Sequence, residues 1–142
     1  MKVAVFSCKP YDKRTLIKAN LDNEMQLQFF ESRLSEETVS LTVGFDAVSC
    51  FVNDQLNTQV LKQLAKNKIK SIALRCAGFN NVDLEVAEKL SIQVFHVPDY
   101  SPTSVAEHAV ALILSLNRKT HKAYHRVKEG NFSLEGLMGF NL

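Results

Sequence analysis

A chain of 142 residues, 46% hydrophobic and 23% charged, has the size and balance of an ordinary globular domain with its own core. That excludes a disordered tail and a peptide scaffold held together by disulfides or metal. No run approaches the roughly 18 to 20 uninterrupted apolar residues of a membrane span, so no membrane partner is expected, and a net charge of +2 is too small to argue for nucleic acid.

The first apolar run, residues 3–7, reads as a strand. Lys9 and Asp12-Lys13-Arg14 follow where a signal peptide would carry its cleavage region, so the segment is taken as structure and the protein as cytoplasmic. A Lys-Pro-Tyr-Asp turn leads to a helix over about 13–21. Residues 25–30 alternate as a second strand, and a helix from about Glu36 carries Val39 and Leu41 toward Gly44. The third strand is 47–52. Thr58 is expected to cap the next helix, whose Val60, Leu61, Leu64 and Ala65 keep helical spacing, before a fourth strand at 71–75. A short helix through Leu84, Ala87 and Leu90 precedes a fifth strand at 92–97, which Pro98 ends. Strands alternating with helices predict an α/β domain with a mainly parallel sheet, and such apolar strands predict cover on both faces.

Ser101 as N-cap and Pro102 at the first helical position open a long helix, with Ser104 and Glu107 offering a capping box as a competing start. From Val105 to Leu116 it is apolar almost all round and must be covered on every side, which predicts an interface. After Asn117 the composition turns basic, through Arg118, Lys119, His121, Lys122, His125, Arg126 and Lys128, and the helix is expected to run on to about Glu129 as a solvated face. Cys8, Cys50 and Cys76 are odd in number and lack C-x-x-C pairing, which suggests buried or idle thiols.

The segment Arg75-Cys76-Ala77-Gly78-Phe79-Asn80-Asn81-Val82-Asp83 follows the fourth strand, at the end of the sheet where α/β folds bind ligands. Gly78 permits a tight or positive-φ turn whose successive N–H groups could cup a carboxylate. The same glycine could simply turn the chain into the next helix, with Asn81 or Asp83 as its cap. Other candidates are weaker. His96 and His108 read as structural residues. His121 and His125, four apart, lack a third metal ligand. Arg75 is expected to pair with a local acid or bridge to a neighbouring segment, and nothing supports a reactive Cys76.

The Arg-x-x-Gly-Phe-Asn-Asn-Val-Asp loop at 75–83, followed by Val-Pro-x-Tyr-Ser-Pro-x-x-Val-Ala-Glu-His at 97–108, resembles the D-2-hydroxyacid dehydrogenases, most nearly their D-lactate branch. The resemblance runs from the first strand to about Gly136. It implies a flavodoxin-like substrate-binding domain over residues 1–100, then an interdomain and dimerisation helix with the start of an NAD-binding domain over 101–142. The Rossmann domain itself is absent from this sequence. It further implies that the Ala77 and Gly78 N–H groups hold the substrate carboxylate, that the Tyr100 hydroxyl reaches it, that Phe51 limits the substrate side chain, and that Val105 approaches the nicotinamide. The implied function is interconversion of pyruvate and D-lactate, or a similar small 2-oxo and 2-hydroxy acid, with NADH and NAD. A homodimer through the 101–129 helix is expected.

The family's acid/base histidine, its orienting carboxylate and its clamping arginine fall outside these residues, so no catalytic residue is assigned. The five glycines, Gly44, Gly78, Gly130, Gly136 and Gly139, form no G-x-G-x-x-G. A stand-alone flavodoxin-like module that binds a carboxylate or regulates, without redox chemistry, is the alternative.

Overall fold

The alternation of side chains along β1 (Lys2–Val5) sets the packing of the first hundred residues. Ala4, and Phe6 just beyond the strand, enter one apolar cluster, while Val3 and Val5 enter another on the opposite face. A computed structural model describes residues 1–142, which divide into two units, Met1–Tyr100 and Ser101–Leu142.

In the first unit β1 is joined by β2 (Gln26–Phe29), β3 (Ala47–Cys50), β4 (Ser71–Leu74) and β5 (Gln93–Phe95). The sheet is wholly parallel, in the order β2-β1-β3-β4-β5. This is the α/β architecture expected. Its larger core lies where Val48, Cys50, Ile72 and Leu74 meet Val60, Leu61 and Leu64 of α2 (Thr58–Lys66) and Ala87 of α3 (Leu84–Lys89). Side chains such as Phe6, Leu61 and Ile72 are wholly buried, each contributing about 1.5 to 3 kcal/mol by leaving water. On the other face α1 (Pro10–Ala19) lays Leu16 against Val3, Val5 and Ala47. Cover on both faces, expected from the apolar strands, is therefore partial: Ala73 and Phe95 are exposed on the α1 side, beside an apolar groove of about 320 Å³.

Local chemistry moved several boundaries. α1 begins at Pro10 rather than near Lys13, because proline suits the first helical position and the Asp12 carboxylate accepts from the Lys9 N–H at 2.9 Å. The helix expected from Glu36 is a single tight turn, Val39–Thr42. Its hydroxyls compete for the backbone there: Thr38 donates to the Arg33 carbonyl and Thr42 to the Val39 carbonyl. Asn57, not Thr58, caps α2, accepting from the Val60 N–H at 3.0 Å. Thr58 instead donates to Asp83, the cap of α3. This bond and the Val86 N–H hold the Asp83 carboxyl below its ordinary pKa. The resulting stabilisation is present above the ordinary carboxylate range and lost as pH falls through the lowered value.

In the second unit the long helix is broken. α4 (Pro102–Arg118) and α5 (Thr120–Lys128) meet at Lys119, whose φ is 52°. The tail folds back against this joint. The Asn117 side chain exchanges two hydrogen bonds with the Phe140 backbone, and the Lys119 ammonium donates to the Gly136 carbonyl at 2.9 Å. Ser101 makes no cap bond to the backbone; its hydroxyl meets that of Ser104 at 2.7 Å, which also leaves the expected Ser104–Glu107 box unformed. The apolar residues of α4 are exposed, Leu116 by 68% and Val105 by 59%.

α2 and α3 end alike. Lys68 and Ser91 adopt left-handed backbone (φ 67° and 56°), and the following Ile69 and Ile92 N–H groups reach back to Leu64 and Ala87. These are Schellman closures without the usual glycine. Lys68→Gly should therefore relieve a left-handed penalty of about 1 to 2 kcal/mol, partly offset by unfolded-chain entropy. A urea midpoint that rises, for a net gain of up to about 1 kcal/mol, is the expected result, and a fall would show that Lys68 contributes a contact of its own.

Candidate functional site

In a parallel sheet with this strand order, the connections from β1 and β3 leave in opposite directions and open a crevice beyond their C-terminal ends. A cleft of about 470 Å³ lies at those ends, lined by Tyr11, Asp12, Phe51, Val52, Arg75, Cys76, Ala77, Gly78 and Tyr100. The structure thus gathers Phe51, Ala77, Gly78 and Tyr100 around one space. Val105 belongs to the other unit, exposed on α4.

Arg75 holds the crevice together. From the end of β4 its guanidinium donates to the Ser49 carbonyl and hydroxyl, both at 3.1 Å, and to the Phe6 carbonyl at 2.8 Å. Nε has no hydrogen-bond partner and lies 4.0 Å from Asp12. Arg75 therefore both bridges neighbouring segments and faces a local acid. It also stands over the Phe51 ring, 5.8 Å from the centroid.

Asp54, only 1% exposed, is a second hub. Its carboxylate accepts from the Ser7 hydroxyl at 2.7 Å, the Leu34 N–H at 2.8 Å and the Phe51 N–H at 2.6 Å. Three donors offset the cost of burying the charge. Ser7 itself is left-handed, with φ 49°, where the chain leaves β1. The Asn81 amide donates to the Asp54 carbonyl at 2.9 Å, and the Leu56 and Asp83 backbones bond across, so the 75–83 loop is tied to the segment that carries Phe51.

Within that loop the N–H groups of Ala77, Gly78, Phe79 and Asn80 donate to no backbone carbonyl. Such a run of free donors can accept an anion. Gly78 corrects one expectation, because its φ is not positive and a side chain built on it would meet nothing within 4 Å. Its bareness leaves the cleft open rather than permitting a turn. Burial pushes the thiols of Cys8, Cys50 and Cys76 above their ordinary pKa, so none is a ready nucleophile. No group of three or more His, Cys, Asp or Glu side chains is arranged to hold a metal.

The family model for the catalytic domain of D-isomer specific 2-hydroxyacid dehydrogenases matches residues 3–132. The chain belongs to that family. D-lactate dehydrogenase of Escherichia coli is 49% identical over 142 residues, all of this chain and 43% of that protein. The solved structure of the Escherichia coli D-lactate dehydrogenase superposes with a TM-score of 0.91 at 50% identity, covering 99% of this chain and 44% of that one. A D-lactate dehydrogenase with NAD+ from Lactobacillus jensenii superposes with a TM-score of 0.70 at 32% identity, covering 99% and 43%. The chain thus spans less than half the length of these relatives.

Sequence reading reached the cleft's anchor residues through the two motifs but missed Ser7, Tyr11, Asp12, Val52 and Asp54. Asp54 had one usable signal, as an acid three residues after the aromatic that ends an apolar strand. Its partners at Ser7 and Leu34 are 47 and 20 residues away, and no local pattern announces them. Gly78→Val should leave stability within about 0.5 kcal/mol of the parent in urea unfolding, since the added side chain meets open space. A large loss of stability would show instead that the turn needs the glycine.

Proposed function

We propose that this chain forms the substrate-binding part of an NAD-dependent oxidoreductase that interconverts pyruvate and D-lactate, or a similarly small 2-oxo and D-2-hydroxy acid. The observation that carries this reading is the cleft at the strand ends, where Ala77 and Gly78, whose N–H groups donate to no backbone carbonyl, line the same space as Phe51 and Tyr100. In it the two N–H groups hold the substrate carboxylate and the Tyr100 hydroxyl reaches the same group. Phe51, braced by Arg75, walls off the side-chain end and favours a methyl group over longer chains. NAD, when bound, supplies or accepts the hydride at C2. Of the residues here only Val105 is assigned to it, against the nicotinamide, since the glycines of this sequence make no phosphate-binding loop. Residues 1–100 serve as the substrate domain, and 101–142 as an interdomain and dimerisation segment. Three buried thiols without disulfides fit a cytoplasmic protein, and no helix is long and apolar enough to cross a membrane.

Two backbone donors in an open cleft are each worth about 0.5 to 1.5 kcal/mol net, so pyruvate should bind this chain only at millimolar concentration or weaker. NADH consumption with pyruvate is expected at background for the 142-residue chain. It should be restored in a chimera in which the chain replaces the corresponding residues of the Escherichia coli enzyme. In that chimera Phe51→Ala should move the rate ratio toward 2-oxobutyrate, within the roughly 1 to 3 kcal/mol that one methylene commands. A folded chimera without turnover would overturn the proposal, and a fixed ratio would remove Phe51 from the specificity wall.

The exposed apolar surface of α4, including Val110, Ile113 and Leu116, favours a two-fold dimer through the 101–129 segment. Sedimentation at rising concentration should show dimer. A monomer throughout would exclude that interface.

A further inference from the structure

We propose that His96 is a positioning residue for the carboxylate loop, holding the Ala77–Gly78 peptide so that the Gly78 N–H presents itself to the ligand. This rests on the reading of that loop given above. His96 stands just past β5, with Nδ1 3.0 Å from the Ala77 carbonyl oxygen. A carbonyl can only accept, so Nδ1 carries the hydrogen and donates it. The Ala77 carbonyl and the Gly78 N–H are the two ends of one planar, trans peptide unit and point in opposite directions. Fixing one end on the His96 side therefore fixes where the other is aimed.

Little else in the surroundings could do this. Beyond its two chain neighbours no atom lies within 4 Å of a Cβ placed on Gly78, and the Gly78 N–H has no backbone acceptor. On the next peptide the Cys76 thiol donates to the Gly78 carbonyl at 3.2 Å, a weak bond that leaves His96 as the stronger tether. The imidazole is itself held. Its ring meets Phe79 of the same loop edge to face, with centroids 5.3 Å apart, and the Val97 N–H donates to the Cys76 carbonyl at 3.1 Å, which keeps the end of β5 beside the loop. The hydrogen bond is exposed, so its loss should weaken carboxylate binding by about three- to tenfold rather than abolish it.

Two variants of the 142-residue chain separate this role from simple packing. His96→Phe keeps a ring against Phe79 and deletes the donor. His96→Asn deletes the ring and returns a donor nitrogen at the same distance along the side chain. Multiple-bond nitrogen–proton spectra of the neutral imidazole should first find the Nδ1–H tautomer in the parent chain; the Nε2–H tautomer would overturn the proposal without reference to any ligand. Pyruvate titrations followed at the Gly78 amide should then give a dissociation constant raised about three- to tenfold in His96→Phe and largely recovered in His96→Asn. Equal constants in all three chains, or Asn weaker than Phe, would overturn it. If the parent's Gly78 amide ignores pyruvate, the carboxylate reading of the loop fails. The tether is then judged by the tautomer and by whether the free Gly78 amide resonance moves in His96→Phe and returns in His96→Asn.

Discussion

The guanidinium of Arg75 is the constraint on which the crevice depends. Where the ladder ends, the Ser49 carbonyl of β3 accepts the Phe6 N–H at 2.9 Å, while the Phe6 carbonyl itself receives no backbone donor. Arg75, reaching from β4, gathers the Phe6 and Ser49 carbonyls with one planar group. Hydrogen bonds from a charged donor are worth about 1.5 to 3 kcal/mol each, and a lysine could not reproduce the fork. Because this cation is committed to the backbone, it is not free to clamp a substrate. The cleft keeps its floor, and the anion is left to the N–H groups of the 75–83 loop.

Asp54 complements this at the same strand ends. A buried carboxylate is costly unless its lone pairs are filled, and here donors from Ser7, Leu34 and Phe51 fill them. Those donors come from three separate segments, so the carboxylate orders the end of β1, the chain after β2 and the chain after β3 together. The left-handed Ser7 is tolerated because its hydroxyl is held there. Phe51 sits between the two hubs, its N–H on Asp54 and its ring under Arg75. Phe51, proposed to set substrate size, is thus in contact with both charged groups.

Two apolar surfaces of the chain are left uncovered. Part of the sheet face beside α1 is bare at Ala73 and Phe95, and α4 carries an apolar surface in water. Soluble chains rarely leave such surface uncovered.

Much of this protein was decided by its sequence. The parallel α/β order followed from apolar runs alternating with helical spacing, since period-2 and period-3.6 patterns need no distant information. The 75–83 and 97–108 motifs led to the family, and with it to Phe51, Ala77, Gly78 and Tyr100. Tertiary structure decided what depends on partners far apart in the chain. It made Thr58 a donor to Asp83 instead of a helix cap, broke the 101–129 helix at Lys119 where the tail returns to Asn117, and gave Gly78 an ordinary φ beside open space. It also set the hydrogen-bond partners of Arg75, Asp54 and His96, because such a partner is fixed by the meeting of strand ends, and a linear pattern does not contain that meeting.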